Sequence, residues 1–473
     1  MKKPDLQTDT GVRKLLVTFL TIAMSLMAGG QSPVLDEYIR TGIENNLQVR
    51  KKDLTYQKNL AALREAKGYF LPGLSFNARY TIAKGGRTIE FPVGQMLNPV
   101  LQNISALNSS MSALNPMFPV IPPYPAIDDI SFSFYRPTEH ETKFSLVQPL
   151  YNPTLYYNYK IKNVETGIGM IDIEITRRNL VKQITEAYYD YLKSFENTRL
   201  AAELIVLARE NLRVCNSLLS NDKVTRDIVY RAEADLAGAM MNQAEATGKL
   251  NSATALFNFH LNRDLWEPVI RDTTVFVTLP LMSVDESIEA SAGKRPEVAL
   301  LDSWLEANKY YISLTRSEML PVVAGVADYG FQGETYQFDS SHDYMLASVV
   351  LRWNIFSGNT NRAKTSQALL EREMLETNKE ELQKQIELQI ITSFYNMQTS
   401  FEAAEAAAAG LTPAVSGYNL TKALFREGLS SYTELMEAQT TMMRARTLLL
   451  ALQYQFMKDK MAFSLATGDI SIK

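Results

Sequence analysis

The chain has 473 residues, of which 46% are hydrophobic and 21% charged, with a formal net charge of −4. That is too apolar for a disordered chain, and the weak negative charge gives no reason to expect nucleic acid as a partner. The one cysteine, Cys215, excludes an intrachain disulfide, and His140, His260 and His342 stand far apart with no zinc or haem spacing, so no metal or cofactor is expected.

The chain opens on Arg13-Lys14, an apolar run over 15–27, and then Ala28-Gly29-Gly30. A basic start, a short apolar middle and small residues predict a secretory signal peptide over 1–30. The apolar run is too short to cross a bilayer as a helix, and no later run reaches the ~18 apolar residues that would. The mature chain is therefore expected to be exported without a membrane helix.

Residues 36–67 read as an amphipathic helix, stopped before Leu71-Pro72. Over 74–82 the pattern alternates. Leu74, Phe76, Ala78, Tyr80 and Ile82 point one way, and Ser75, Asn77, Arg79 and Thr81 the other. That is a strand with one apolar and one polar face. Residues 85–141 hold Pro116, Pro119, Pro122, Pro123 and Pro125 and sustain no period, which predicts a long strand-to-strand loop. A second strand follows over 142–151. Residues 154–219 carry a helical pattern on the order of 100 Å long at ~1.5 Å per residue. The chain then turns and runs back as a helix over 227–261. A connector with Pro268 and Pro280 follows.

The pattern then repeats. A helix is expected over 285–316, and Leu320-Pro321 repeats Leu71-Pro72 at an offset of 249. Ser400-Phe401-Glu402 repeats Ser194-Phe195-Glu196 at an offset of 206. The enlarged loop 85–141 accounts for the difference, because its counterpart is only 332–342. Two duplicated units are expected, 31–284 and 285–473, each built helix, strand, strand, long helix, long helix. The fold class is mainly α with a β-barrel part. Four strands cannot close a barrel, which takes about eight or more. Three copies would supply twelve and remove the sheet edges.

The second helix-to-helix turn is the clearest local signal. Gly428 supplies a helix stop, Ser430-Ser431 a helix start, and Ser431 with Glu434 the form of a capping box. The first turn, with Asn221-Asp222 and then Thr225, Arg226 and Asp227, is a weaker copy. The aromatic runs at Tyr188-Tyr189-Asp190-Tyr191 and Phe394-Tyr395 read as helix packing. Tyr80, Tyr329, Phe331, Trp353 and Phe356 near the strand ends suit either a membrane-interface belt or barrel packing.

In order and spacing, several motifs resemble the TolC-type outer-membrane efflux protein family. They are Gly42-Ile-Glu-Asn-Asn-Leu47, Leu71-Pro72, Gln148-Pro-Leu-Tyr151, Arg295-Pro-Glu297, Leu320-Pro321 and Trp353-Asn-Ile-Phe-Ser-Gly358. The resemblance implies a homotrimer whose twelve-stranded barrel sits in outer-membrane lipid and continues into a periplasmic helical tunnel. It implies docking to a periplasmic adaptor, or membrane fusion protein, and an inner-membrane transporter. It also places an acidic pair at Glu434 and Glu437, with Glu where Asp is commoner. Residues i and i+3 share a helix face, so three copies would ring the tunnel entrance with carboxylates that attract cations. The plainer reading is a pair of first-turn acids favoured by the helix dipole. Thr225, Arg226, Asp227, Gly428, Ser430 and Ser431 are the candidate tip and adaptor contacts. An export channel is thus expected, with a poreless periplasmic coiled-coil scaffold or adaptor as the alternative. No acid–base pair or nucleophile constellation suggests an enzyme.

Overall fold

The computed structural model describes residues 32–272 and 283–470. The expected signal peptide 1–30 and Pro280 of the connector lie outside the described residues. The chain divides into two units: residues 64–159 with 312–365, and the remainder.

The first of these units is built on strands. They are β1 (Gly73–Ile82), β2 (Thr88–Phe91), β3 (Ile130–Ser133), β4 (Thr138–Tyr151), β5 (Val322–Gly333) and β6 (Asp343–Arg352). Strands β1, β4, β5 and β6 form one antiparallel sheet in the order β1-β4-β5-β6, and β2 pairs with β3. The register sorts the side chains by chemistry. Leu74 opposes Leu146 and Phe76 opposes Phe144. Phe144 in turn opposes Tyr329, and Tyr329 opposes Met345. This apolar face is uncovered in the single chain, with Leu74 68%, Phe76 59% and Ile82 75% exposed. The opposite face carries a charge network. Glu141 pairs with Arg79 and Lys143, each at 3.1 Å, and Lys143 reaches Asp328 at 3.0 Å. Ser145 donates to Asp328 at 2.6 Å and Tyr344 to Glu141 at 2.9 Å. The alternation read over 74–82 is therefore a property of the whole sheet.

The expectation of a long loop over 85–141 is corrected. Within it lies helix α3 (Val93–Leu114), beside β2 and β3; helices α1 (Pro33–Asn45) and α2 (Leu47–Gly68) precede it in the chain. Met96, Val100, Ile104, Leu107, Met111 and Leu114 recur at helical spacing, but Pro99 and the many Asn and Ser residues hide the period. The start of α3 is held from a distance. The Asp129 carboxylate accepts from the Gly94 and Gln95 amides at 2.9 and 3.1 Å. Asn98 and Ile127 exchange two further bonds, at 2.9 and 2.8 Å.

The other unit is helical. The helix expected over 36–67 is two helices, α1 and α2, because Asn46 between them is extended, with ψ 129°. Its side chain donates to the His260 carbonyl at 2.8 Å and accepts from the Gln48 amide at 2.8 Å. The hairpin helices are α4 (Pro153–Ser220) and α5 (Arg226–Leu261), of 68 and 36 residues. After α6 (Val284–Ser291) and α7 (Pro296–Ser317) come α8 (Thr360–Arg426) and α9 (Tyr432–Thr467), of 67 and 36 residues. The single helix expected over 285–316 is thus split into α6 and α7. Gly293, with φ 77°, turns the chain between them, and Pro296 sits where its missing N–H costs nothing.

The core of this unit is aromatic. Tyr38 and Tyr188 close on Phe257 at centroid distances of 4.9 and 5.4 Å. Their hydroxyls hold the start of the connector. Tyr38 accepts from the Ile270 amide at 2.7 Å, and Tyr188 accepts from the Asp272 amide at 2.9 Å. Tyr188, Tyr189, Tyr191 and Phe394 belong to this packed cluster, as the helical spacing implies, whereas Tyr395 is 57% exposed and does not.

Candidate functional site

The two turns that join the hairpin helices lie side by side. A Cβ added to Gly428 would sit 3.9 Å from Lys223 Cδ. At the second turn Gly428 takes φ 77°, and the Leu429 amide reaches back to the Leu424 carbonyl at 2.9 Å. Only glycine adopts that conformation freely. The expected capping box is present. Ser431 Oγ accepts from the Glu434 amide at 3.2 Å, while Glu434 Oε2 accepts from the Ser431 amide at 2.8 Å and the Ser430 hydroxyl at 2.6 Å. The Ser430 hydroxyl, with the Ser431 amide, holds the Glu434 carboxyl below its ordinary range, so it is charged at neutral pH. Glu437 is exposed one turn further on.

At the first turn Asp222 takes φ 57°, and the Lys223 amide returns to the Leu218 carbonyl at 2.9 Å. An aspartate in this region is tolerated where the chain must reverse. Thr225 donates to Asp227, and Arg231 lies 3.8 Å from the same carboxylate. Thr225, Arg226 and Asp227 are exposed. Thr225 and Asp227 are engaged locally, with each other and with Arg231.

The bonds between hairpins come from residues that the sequence did not single out. Tyr432 donates to Asp235 at 2.7 Å. Arg426 pairs with Glu210 at 2.8 Å, and Arg446 with Glu203 at 2.9 Å. Asn211 donates to Gln439 at 2.7 Å, both side chains buried. Arg213, together with Arg426, holds the Glu210 carboxyl down to about 2. Around these bonds pack Cys215, Leu218, Val229, Tyr418, Phe425 and Leu435. Burial pushes the Cys215 thiol up to about 11, which leaves it inert. No spacing rule could have found the bonds, because Asp235 and Tyr432 lie 197 positions apart.

Between α4, α5 and α9 runs a groove of ≈ 1030 Å³, lined by Ala201, Ala208, Ala234, Gly238 and Ala239 among others. Small side chains let another helix approach closely. Among the described residues, no helix is long and apolar enough to cross a membrane.

The family described as "Outer membrane efflux protein" matches residues 288–469. Arg295-Pro-Glu297, Leu320-Pro321 and Trp353–Gly358 all fall inside the matched stretch, and the resemblance read from the motifs holds. The motifs of the first half rest on the likeness of fold. The chain shares 13% identity and a TM-score of 0.73 with the outer-membrane channel OprN, over 92% of this chain and 90% of that one. With the CmeC outer-membrane channel of Campylobacter jejuni the values are 14% and 0.71, over 92% and 86%. With the outer-membrane protein VceC of Vibrio cholerae they are 13% and 0.70, over 92% and 96%. No curated protein matches the chain by sequence. The relatives of known structure are outer-membrane proteins, in agreement with the location expected from the sequence.

Proposed function

We propose that this chain is the outer-membrane exit channel of a tripartite efflux or type I secretion system. It would pass small molecules or polypeptides from an inner-membrane pump and periplasmic adaptor to the exterior. One observation carries the reading: a four-stranded sheet with open edges at β1 and β6, an uncovered apolar face and a charged opposite face. Sheet edges left unpaired are a liability. Three copies joined edge to edge make a twelve-stranded barrel with the apolar face toward lipid and the charged face toward water. Tyr80, Tyr329 and Phe331 then sit toward one rim, with Trp353 and Phe356 at the other, as interfacial aromatics do.

In this reading the paired turns form the periplasmic entrance. Glu434 and Glu437, repeated three times, ring it with negative charge, while the capping box holds Glu434 ionised. The bonds Tyr432–Asp235 and Arg426–Glu210 keep the two hairpins together, and hence the entrance narrow. The turn residues Thr225, Arg226, Asp227, Gly428, Ser430 and Ser431, with the small-residue groove, receive the adaptor's helices. The channel performs no chemistry. A periplasmic scaffold is disfavoured, because it has no use for an uncovered apolar sheet face.

Planar-bilayer recording tests the reading. The purified protein should open as a water-filled pore that divalent cations block from the turn side. Replacing Glu434→Ala and Glu437→Ala together should weaken that block. A protein that inserts no pore contradicts the reading, whereas a pore whose block is unchanged removes only the acidic ring.

A further inference from the structure

Helix α3 (Val93–Leu114) lies in the excursion between β1 and β4, at one end of the sheet. Gly73 and Val147 pair at the end that joins α2 and α4, and Ile82 and Thr138 pair at the other, from which α3 departs. Its apolar residues keep a strict period. Leu97, Val100, Ile104, Leu107, Met111 and Leu114 are spaced three and four residues apart by turns. That is the a and d pattern of three heptads, the narrow seam through which helices pair in coiled coils, and not the broader apolar face of a helix lying on its own core. All six side chains are uncovered, from Ile104 at 39% to Leu114 at 84% exposed.

The chain holds α3 by a different side, and that side is mostly polar. Gly94 is buried, and Asn98, Leu101, Ser105, Asn108 and Ser112 are half-buried. Asp129 and Ile127 bind the helix there, at Gly94, Gln95 and Asn98. The helix thus turns polar groups toward its own chain and an apolar stripe away from it. Contiguous exposed apolar surface marks a contact site. The chemistry of the segment narrows the partner. No Asp, Glu, Lys, Arg or His occurs from 91 to 127. Helices that lie on lipid carry Lys and Arg on the polar face, and coiled coils that select a different chain use charges beside the seam. An uncharged seam has nothing to repel a copy of itself.

We propose that α3 is a self-association helix: in the assembled channel, the α3 helices of neighbouring copies pack seam to seam at the outer end of the barrel. The inference rests on the three-copy reading. Strand β1 is an edge of the sheet, so joining edges brings the next copy beside the strand from which α3 departs. Only residues 83–92 separate β1 from α3. The helix is just three heptads, ~33 Å long. A tether this short nonetheless holds neighbouring copies at an effective concentration on the order of millimolar. Pro99, inside the helix, falls off the seam.

Cysteine cross-linking of the purified full-length protein, in a Cys215→Ala background, tests this. Leu107→Cys replaces an exposed seam residue, so the fold is kept, and Ser109→Cys stands two positions on, exposed and off the seam. With a short bismaleimide, Leu107→Cys should give covalent dimers on a denaturing gel, and Ser109→Cys should not. Adding Ile104→Asp sets like charges together in the seam. It should abolish the Leu107→Cys product while native mass spectrometry still counts three copies. Equal cross-linking at the two positions, a product that Ile104→Asp leaves unchanged, or none at Leu107→Cys in a particle of three copies overturns the proposal. In that last case, a Leu107→Cys thiol shielded from a water-soluble maleimide in lipid vesicles but labelled in detergent assigns the stripe to lipid. A protein without three copies overturns the channel reading, and this inference falls with it.

Discussion

Tyr432, the first residue of α9, donates its hydroxyl to Asp235 of α5 at 2.7 Å and is itself only 5% exposed. Burial first, and the Asp235 carboxylate second, push its phenol well above the ordinary range, so it remains a donor at every physiological pH. This bond joins the two hairpins just above their turns. Tyr432→Phe keeps the ring and its packing on Phe425 but removes the donor. A hydrogen bond to a charged group contributes about 1.5–3 kcal/mol, less where one partner is solvated as here. Single-channel conductance should rise with the fold intact by circular dichroism. Unchanged conductance would mean that this bond does not hold the entrance.

Glu210 makes the second tie, and its pH dependence has a fixed sign. Its carboxyl is depressed to about 2 from an ordinary 4.5, by Arg213 first and Arg426 after it. The stabilisation is therefore complete above about pH 4.5 and is lost as pH falls from there toward 2. The difference in thermal midpoint between the native protein and Glu210→Gln should be constant from pH 7 to 5 and shrink below 4.5. A difference that already fades between pH 7 and 5 would show that Glu210 is not held this way.

The aromatic core should tolerate truncation poorly. Tyr188 is 1% exposed, packs on Phe257 and bonds the connector at Ile270 and Asp272. Removing a buried aromatic side chain costs about 3–5 kcal/mol. Tyr188→Ala should lower the denaturant midpoint markedly and open residues 262–272 to limited proteolysis. Tyr188→Phe should do less, because it keeps the ring.

Asp129 should matter only locally. Loss of a side chain that caps a helix start costs about 1 kcal/mol. In Asp129→Ala, hydrogen exchange should quicken at the amides that open α3 and stay unchanged at the two hairpin turns. Protection that persists in α3 would mean that Asn98 and Ile127 suffice to hold it.

What the sequence revealed depended on how local the cause was. Gly428, Ser431 and Glu434 lie within seven positions and settle the second turn among themselves. The alternation over 74–82 needs only its own strand. Helix α3 stayed hidden because its cap, Asp129, lies 35 positions after Gly94 and its apolar stripe is broken up by Asn, Ser and Pro99. The breaks at Asn46 and Gly293 escaped the reading because both interrupt helical patterns that continue on either side. The ties Tyr432–Asp235 and Arg426–Glu210 depend on tertiary register. No window along one chain contains it.

In the proposed channel the sheet of one chain is a third of a closed lipid-facing wall. Native mass spectrometry of the mature protein, extracted from outer membranes in mild detergent, tests it most directly. Three copies should appear in one particle that precipitates once detergent is removed. A single copy that stays dissolved without detergent would contradict it.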